Sequence, residues 1–335
     1  MAEALFLNRN DVEQVLHPGE IIDAVREGYR QRGHGAAAEP RTKLTNDNPP
    51  GILTGYLAIL PEDGVMGGYV YSGGFSAGDA WFFTPLFDAE SGEPIALLDG
   101  VNMNPFKTGA TGAVAVDVLA RDDVNVLAVL GSGPQAAGQL QATTRVRSFE
   151  TVRVFSPTEN HRRSFAEEFD EKLEPIVKAV KSSTRAVEGA DVVITATDSS
   201  TPVFESSDLS PGTHVTAMGQ YDTTAREIDS ETVRRSTYVL DLKDRAHQDA
   251  GAFIEARNDG LIDESHIHAE LGDIVAGTRP GRQSRDEITL FDSGGTAIET
   301  TAAAYDIYRR AREKDLGQTI QLSPASDALT GRLKG

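Results

Sequence analysis

The run Val124–Leu130 is apolar enough to form a buried strand, and it passes directly into Gly131-Ser132-Gly133-Pro134-Gln135-Ala136. Strand, Gly-x-Gly-x-x-Ala turn and helix in that order make a phosphate cradle. Gly131 permits the tight turn, Gly133 lets backbone approach a pyrophosphate, and small Ala136 permits close helix–strand packing. Pro134 suits the first helical turn, where its missing N–H costs nothing. With the helical stretch Gln135–Val146 behind it, the turn reads as a dinucleotide site rather than a plain connection.

The text on either side of this unit differs. After it, strand-like and helical segments alternate (Thr151–Ser156, Arg162–Leu173, Pro175–Val180, Ala190–Thr197, Thr213–Met218, Ser236–Asp241), which predicts parallel strands with crossover helices. Before it, residues Asn10–Arg32 read as an amphipathic helix broken near Pro18-Gly19. Short runs at Ile52–Ile59, Gly68–Ser72, Ala80–Asp88 and Ile95–Leu98 predict a small antiparallel or mixed sheet, and Thr108–Ala120 a helix. Ile288–Asp292 is a last strand, and Ala297–Arg312 a helix able to return to the N-terminal region. The expected fold class is therefore α/β, a Rossmann-type nucleotide-binding domain (119–299) inserted in a mixed α+β substrate and dimerisation domain (1–118 plus 300–335).

The 335 residues suffice for two domains with a substantial core. No cysteine is present, which excludes disulfides, thiolate metal sites and cysteine nucleophiles. The balance of 51 acidic against 32 basic residues, net −19, repels nucleic acid and anionic membranes, so neither is an expected partner. Acidic residues are dispersed and Arg far outnumbers Lys, the composition expected in a salt-adapted, halophilic cytosol, where screening removes self-repulsion. No long apolar run occurs, and Met1-Ala2-Glu3-Ala4 is not a basic, apolar export signal, so the expectation is a soluble cytoplasmic protein. His266 and His268 alternate but lack a third ligand. A solvated segment and no metal are expected there. No Gly-x-Ser-x-Gly elbow points to a hydrolase.

In this fold the tip of the second strand meets the adenosine ribose, where a carboxylate selects against a 2′-phosphate. Here Val152–Phe155 ends in Ser156-Pro157-Thr158, with Arg162 and Arg163 just beyond. Hydroxyls and guanidinium groups suit a phosphate, so NADP(H) is the preferred cofactor, with NAD(H) possible if those arginines merely line a solvated helix face.

Several segments then fall in a telling order: Lys107-Thr108-Gly109-Ala110, the cradle, Ala190–Thr197, Pro211-Gly212-Thr213-His214, Arg226-Glu227-Ile228-Asp229, Gly277–Arg282 and Ile288–Gly295. Together they resemble the ornithine cyclodeaminase/mu-crystallin family over nearly the whole chain. The resemblance implies a homodimer that pairs through the non-nucleotide domain and binds a small amino or imino acid. It implies redox chemistry at a carbon–nitrogen bond, which needs a nicotinamide face against that carbon, cations on the substrate carboxylate and an acid/base for nitrogen.

By that resemblance Arg41 grips the carboxylate through its planar fork. Lys107 stands where the family usually has arginine, keeping the charge but losing bidentate geometry. Tyr69 stands where many members have a lysine that helps protonation, so Tyr69, Tyr71 or Lys43 must take over or the substrate must differ. Asp222 lies one residue beyond the usual aspartate position, held here by Tyr221, and serves either as acid/base or as a turn cap. Cofactor contacts carry over to Thr108, Pro134, Gln135, Thr197, Ala217, Met218 and Ser293, with Gly294 and Gly295 near the reacting carbon. The leading expectation is an NAD(P)-dependent imine or ketimine reductase or an amino-acid dehydrogenase such as alanine dehydrogenase. The alternatives are a cyclodeaminase-type lyase that recycles its NAD, and a non-catalytic mu-crystallin-like NADPH-binding protein.

Overall fold

The computed structural model describes residues 1–326, so the last nine residues of the expected first domain lie outside it. The N-terminal region is two helices, α1 (Arg9–Glu13) and α2 (Pro18–Gly33), divided at the break that the sequence carries near Pro18-Gly19. Pro18 is the cause: it lacks an N–H to continue α1 and instead opens α2 at its first turn. Ile21, Ile22, Val25 and Tyr29 of α2 then face the core.

The first sheet comprises β1 (Ala2–Leu7), β2 (Thr42–Asp47), β3 (Pro50–Leu60), β4 (Val65–Gly74), β5 (Asp79–Asp88) and β6 (Pro94–Asp99), with β15 (Gln318–Leu322) returning from the C-terminus. Its order is β15-β1-β6-β5-β4-β3-β2, antiparallel except for the parallel β1–β6 pair. Sequence reading misses β1, β2 and β15; β2 and β15 are the two edge strands, with almost every residue exposed, and so have no apolar alternation to detect.

Helix α3 (Met103–Leu119) leads into the second sheet: β7 (Val126–Leu130), β8 (Thr151–Phe155), β9 (Ile176–Ala179), β10 (Val192–Thr195), β11 (His214–Ala217), β12 (Ser236–Leu240), β13 (Ile267–Glu270) and β14 (Ile288–Asp292). All eight strands are parallel, in the order β13-β12-β14-β11-β10-β7-β8-β9. The chain runs from β7 outward to β9, then crosses back to β10 on the other side. This reversal opens a crevice at the strand C-termini, where ligands bind in open α/β sheets. The helices are α4 (Pro134–Val146), α5 (Glu159–Asp170), α6 (Ser183–Val187), α7 (Ser230–Arg235), α8 (Gly251–Asn258) and α9 (Leu271–Val275); α10 (Ala297–Glu313) then re-crosses to pack on α2, β3 and β4.

Two packing features place the site. Helices α3 and α4 cross at backbone distance: a Cβ on Gly109 would lie 2.3 Å from the Gly138 carbonyl oxygen, so the start of α3 is pressed against the cradle helix. Strand alternation gives the first sheet two unlike faces. Tyr56, Tyr69, Tyr71 and Phe82 share the inner face by register, whereas Leu44, Leu53, Val70, Trp81 and Phe83 share the outer one.

Candidate active site

A cleft of about 1000 Å³ runs between the second sheet's strand tips and the inner face of the first sheet. Its floor on the nucleotide side is the cradle. Gly131 has φ +126°, a conformation that favours glycine, and a Cβ there would come within 2.4 Å of the Ala196 carbonyl oxygen. Gly133 is the N-cap of α4 with no side chain spent on capping, so the first N–H groups of that helix face open space. Gln135 Oε1 is buried without a partner. The backbone N–H donors without acceptors, at the end of a helix dipole and beside a Cβ-free approach, fit a dinucleotide pyrophosphate.

Beyond β8, the Ser132 hydroxyl donates to the Ser156 hydroxyl at 2.9 Å, tying the cradle to the second strand tip. Thr158 N-caps α5 without using its side chain. Arg162 departs from expectation: its guanidinium donates to the carbonyls of Ser156 at 3.1 Å and Pro157 at 3.2 Å and does not line the cleft. His161, one residue earlier, lines it instead. Arg163 is exposed and pairs with Glu159. Ala217 is likewise outside the lining, buried within β11 beneath Met218.

A buried carboxylate absent from the sequence-derived site organises the next two strand tips. Glu227 accepts from the Thr197 N–H and hydroxyl at 2.6 and 2.7 Å, the Thr195 hydroxyl at 2.8 Å and the Gly219 N–H at 2.6 Å. Burial raises its pKa, opposed by those hydrogen bonds. Thr197 and Met218 thus line the cleft at fixed positions, with the Thr197 hydroxyl already committed. Thr108, on the first turn of α3 to face the cleft, is held by a bond from Gln139 Nε2 to its carbonyl at 2.7 Å.

The opposite wall carries the cations. Arg41, just ahead of β2, has a side chain only 4% exposed. Its Nη2 donates to the Gly294 carbonyl and its Nη1 to Asp249 Oδ2 at 3.3 Å, while Nε is buried without a partner. The guanidinium lies 4.1 Å from the Tyr221 ring centre and 5.2 Å from that of Tyr56. Lys107, on α3, is also buried, with Nζ 3.4 Å from Glu299 Oε1 and 5.3 Å from the Tyr69 ring centre. Burial lowers its pKa, and Glu299 opposes that shift. The two cations converge: a Cβ on Gly295 would lie 3.5 Å from Arg41 Nη2 and 4.0 Å from Lys107 Nζ. Gly295 has φ +86°, a conformation that favours glycine, so a side chain there would be strained.

The Ser293-Gly294-Gly295 turn rests on Asp241, whose Oδ2 accepts from the Ser293 hydroxyl and the Gly294 and Gly295 N–H groups at 2.9, 3.0 and 2.9 Å. Ser293 therefore lines the cleft with its hydroxyl already donated inward. Arg245, 1% exposed, donates to Asp241 at 2.8 Å and to Asp249 at 2.6 Å. A buried chain Arg41–Asp249–Arg245–Asp241 thus connects the first of the two cations to the glycine turn. Asp292, bonded by the Tyr238 hydroxyl at 2.7 Å, is pushed up to about 6 by burial, with Arg245 opposing.

Two expected acid/base groups are placed otherwise. Tyr69 faces the cleft with its ring, and its hydroxyl points to the Gly100 carbonyl at 3.4 Å; burial holds its pKa well above the phenolic value, which leaves it a poor proton donor. Asp222 accepts from the Thr224 N–H and hydroxyl at 3.0 and 2.9 Å and pairs with Lys43 at 3.2 Å. Those Thr224 bonds lower its pKa to about 2, so it is an ionised turn cap at the cleft mouth. Sequence reading misses Glu227, Asp241, Arg245, Asp249 and Glu299 as site groups. Two of them carry a local signal: Glu227 lies in the Arg226–Asp229 segment of the resemblance, and Glu299 in the Thr296-x-x-Glu299 capping box. Among the described residues no group of three or more His, Asp or Glu could hold a metal. His266 and His268 sit in and beside edge strand β13, each bound to a carbonyl, of Val233 at 2.7 Å and Pro280 at 2.8 Å.

Residues 2–315 match the model of the ornithine cyclodeaminase/mu-crystallin family. A Δ1-pyrroline-2-carboxylate reductase of Bacillus cereus is 34% identical over 266 residues, 79% of either chain. The solved structure of Thermococcus litoralis Δ1-pyrroline-2-carboxylate reductase with NADH and L-proline superposes with TM-score 0.89 at 34% identity, covering 94% of this chain and 100% of that one. An archaeal alanine dehydrogenase dimer with bound NAD also gives TM-score 0.89, at 28% identity over 96% of this chain and 100% of that one.

Proposed function

The chain belongs to the ornithine cyclodeaminase/mu-crystallin family and is an NAD(P)-dependent enzyme of carbon–nitrogen redox chemistry; on that footing we propose that it reduces a small cyclic α-imino acid, such as Δ1-pyrroline-2-carboxylate, to the amino acid. One observation carries this reading: Arg41 and Lys107 converge on Gly295 at the edge of the cradle cleft. Arg41 Nε and Nη groups hold the carboxylate, with Gly294 and Gly295 leaving room beneath it. The inner-face rings of Tyr56, Tyr69, Tyr71 and Phe82 offer flat apolar walls to a ring-shaped substrate. Thr108, Gly131, Gly133, Pro134, Gln135, Thr197 and Met218 would hold a nicotinamide cofactor, which when bound would supply or accept hydride. Tyr at position 69 and the capped, ionised Asp222 favour net redox over cyclodeamination.

For the nucleotide, hydroxyls of Ser132, Ser156 and Thr158 with His161 and no carboxylate at the β8 tip support NADP(H) over NAD(H). The outer face of the first sheet, with Leu44 61%, Trp81 50% and Phe83 47% exposed, supports a homodimer through that face. Net charge −19 supports a soluble, cytoplasmic, salt-adapted protein without nucleic-acid or membrane partners, and no helix among the described residues is long and apolar enough to cross a membrane.

The deciding experiment offers Δ1-pyrroline-2-carboxylate, six-membered cyclic ketimines, ornithine, and 2-oxo acids with ammonia, each with NADPH and NADH at low and high salt. Stoichiometric nucleotide oxidation with a cyclic imino acid, faster with NADPH, is expected. Ammonia release from ornithine without net nucleotide change overturns it, as does nucleotide binding with no turnover.

A further inference from the structure

Lys107 sits in surroundings that a carboxylate grip does not require. Lys43, the other cleft-lining lysine, is partly exposed and paired with Asp222, so Lys107 is the one buried amine lining the cleft among the described residues. Arg41 already provides a fork with a free Nε for the carboxylate. The family resemblance sets arginine at 107 and lysine at 69. In this chain those chemistries are exchanged, and the amine from α3 lies against the ring that occupies the lysine's place. A guanidinium does not give up its proton in a protein, whereas a buried amine does.

Resting on the imine-reductase reading, we infer that Lys107 is the proton donor to the substrate nitrogen, and that Glu299 is the positioning residue that holds its ammonium at the cleft. As hydride from a reduced nicotinamide reaches the imine carbon, the C=N π pair moves onto nitrogen, which takes a proton from Lys107 Nζ. The neutral amine then regains a proton from water entering the cleft. Glu299 is fixed for this role: its carboxylate caps α10 at Thr296 and accepts from the Tyr29 hydroxyl at 3.2 Å, all from buried groups. The charged groups facing Lys107 are Glu299 from α10, Arg41 from the segment before β2 and Asp241 from the loop after β12. Arg41 and burial favour release of the proton, and the two carboxylates favour its retention.

Lys107→Arg separates gripping from proton donation. The expected result is a kcat lower by roughly 100-fold or more, with the affinity for pyrrole-2-carboxylate, a planar unreactive analogue measured by calorimetry, kept within a few-fold. Independently of turnover, the chain's eight lysines allow ¹³Cε titration of the nucleotide-free protein, with Lys107 assigned by its loss in Lys107→Arg. Lys107 should titrate below the other lysines and lower still in Glu299→Gln, whose pH profile for imine reduction should lose its basic limb earlier. Wild-type kcat in Lys107→Arg overturns the assignment. So does a Glu299→Gln variant in which both the titration and the pH profile are unmoved. If Glu299→Gln fails to fold without its cap, the Lys107→Arg kinetics and calorimetry decide. A wild-type protein that reduces no imino acid overturns the proposed function instead, while the titration still reports on Lys107 and Glu299.

Discussion

The two walls of the cleft are built by different means. On the nucleotide side the contacts come from backbone at the ends of β7, β8, β10 and β11, braced by a single carboxylate, Glu227, that reaches strand tips 32 residues away in sequence or fewer. The opposite wall is built from charged side chains whose partners are remote: Arg41 meets Asp249 across 208 positions and Lys107 meets Glu299 across 192. A backbone-built wall tolerates varied side chains and depends on glycine where chain meets chain. A wall of buried charges depends on each ion keeping its counterpart, because desolvating an unpaired charge is expensive.

If the division is real, the largest effect belongs to Arg41→Ala. We expect kcat/KM for the imino acid to drop by roughly three orders of magnitude, with NADPH affinity, followed by its fluorescence on binding, within a few-fold of wild type. Equal loss of both would show the walls to be one unit. The converse variant is Gly131→Ala, whose Cβ would meet the Ala196 carbonyl at φ +126°. Nucleotide affinity should fall by roughly 100-fold in a direct binding titration, while the affinity for pyrrole-2-carboxylate changes little.

Asp241→Asn tests the charged network. Arg245 would lose one of its buried counter-ions, and either it or the glycine turn would face an amide NH2 in place of an acceptor oxygen, so about 3 kcal/mol of stability should go, read as a shift in the denaturation midpoint. Asp292 gives the same network a pH signature. Its folded pKa of about 6 is above the unfolded value, so its contribution is complete below the usual carboxylate range and is lost as pH rises through about 6. Asp292→Asn should flatten the stability-against-pH curve in that window. The smallest effect is at the mouth. The pKa of Asp222 is lowered to about 2, so its pair with Lys43 contributes above the usual carboxylate value and is lost as pH falls toward 2. Both groups are partly exposed, so Lys43→Ala should cost under about 1 kcal/mol at neutral pH. A loss of several kcal/mol would make that pair a strut rather than a rim contact.

Much of the nucleotide wall was readable in one dimension. The Gly131–Ala136 turn, the apolar β7 before it and the hydroxyls at Ser156 and Thr158 are local patterns, since strand, turn and helix entry are set by neighbours a few residues apart. Arg162 shows the limit even there: residue type suggested a phosphate ligand, and a one-residue difference in helical facing gave the cleft His161 and turned Arg162 onto two carbonyls.

The sequence by itself determined the parallel α/β unit and the cradle, because periodicity and glycine spacing act over short range, whereas Arg41 and Lys107 were marked as cations of interest only by the family resemblance. Only the tertiary structure decided what those cations face. Partners such as Glu299, Asp249 and Asp241 lie on elements joined by no local pattern, and it is the return of α10 and the strand order of the second sheet that bring opposite charges together out of water, where their pairing sets both geometry and acidity.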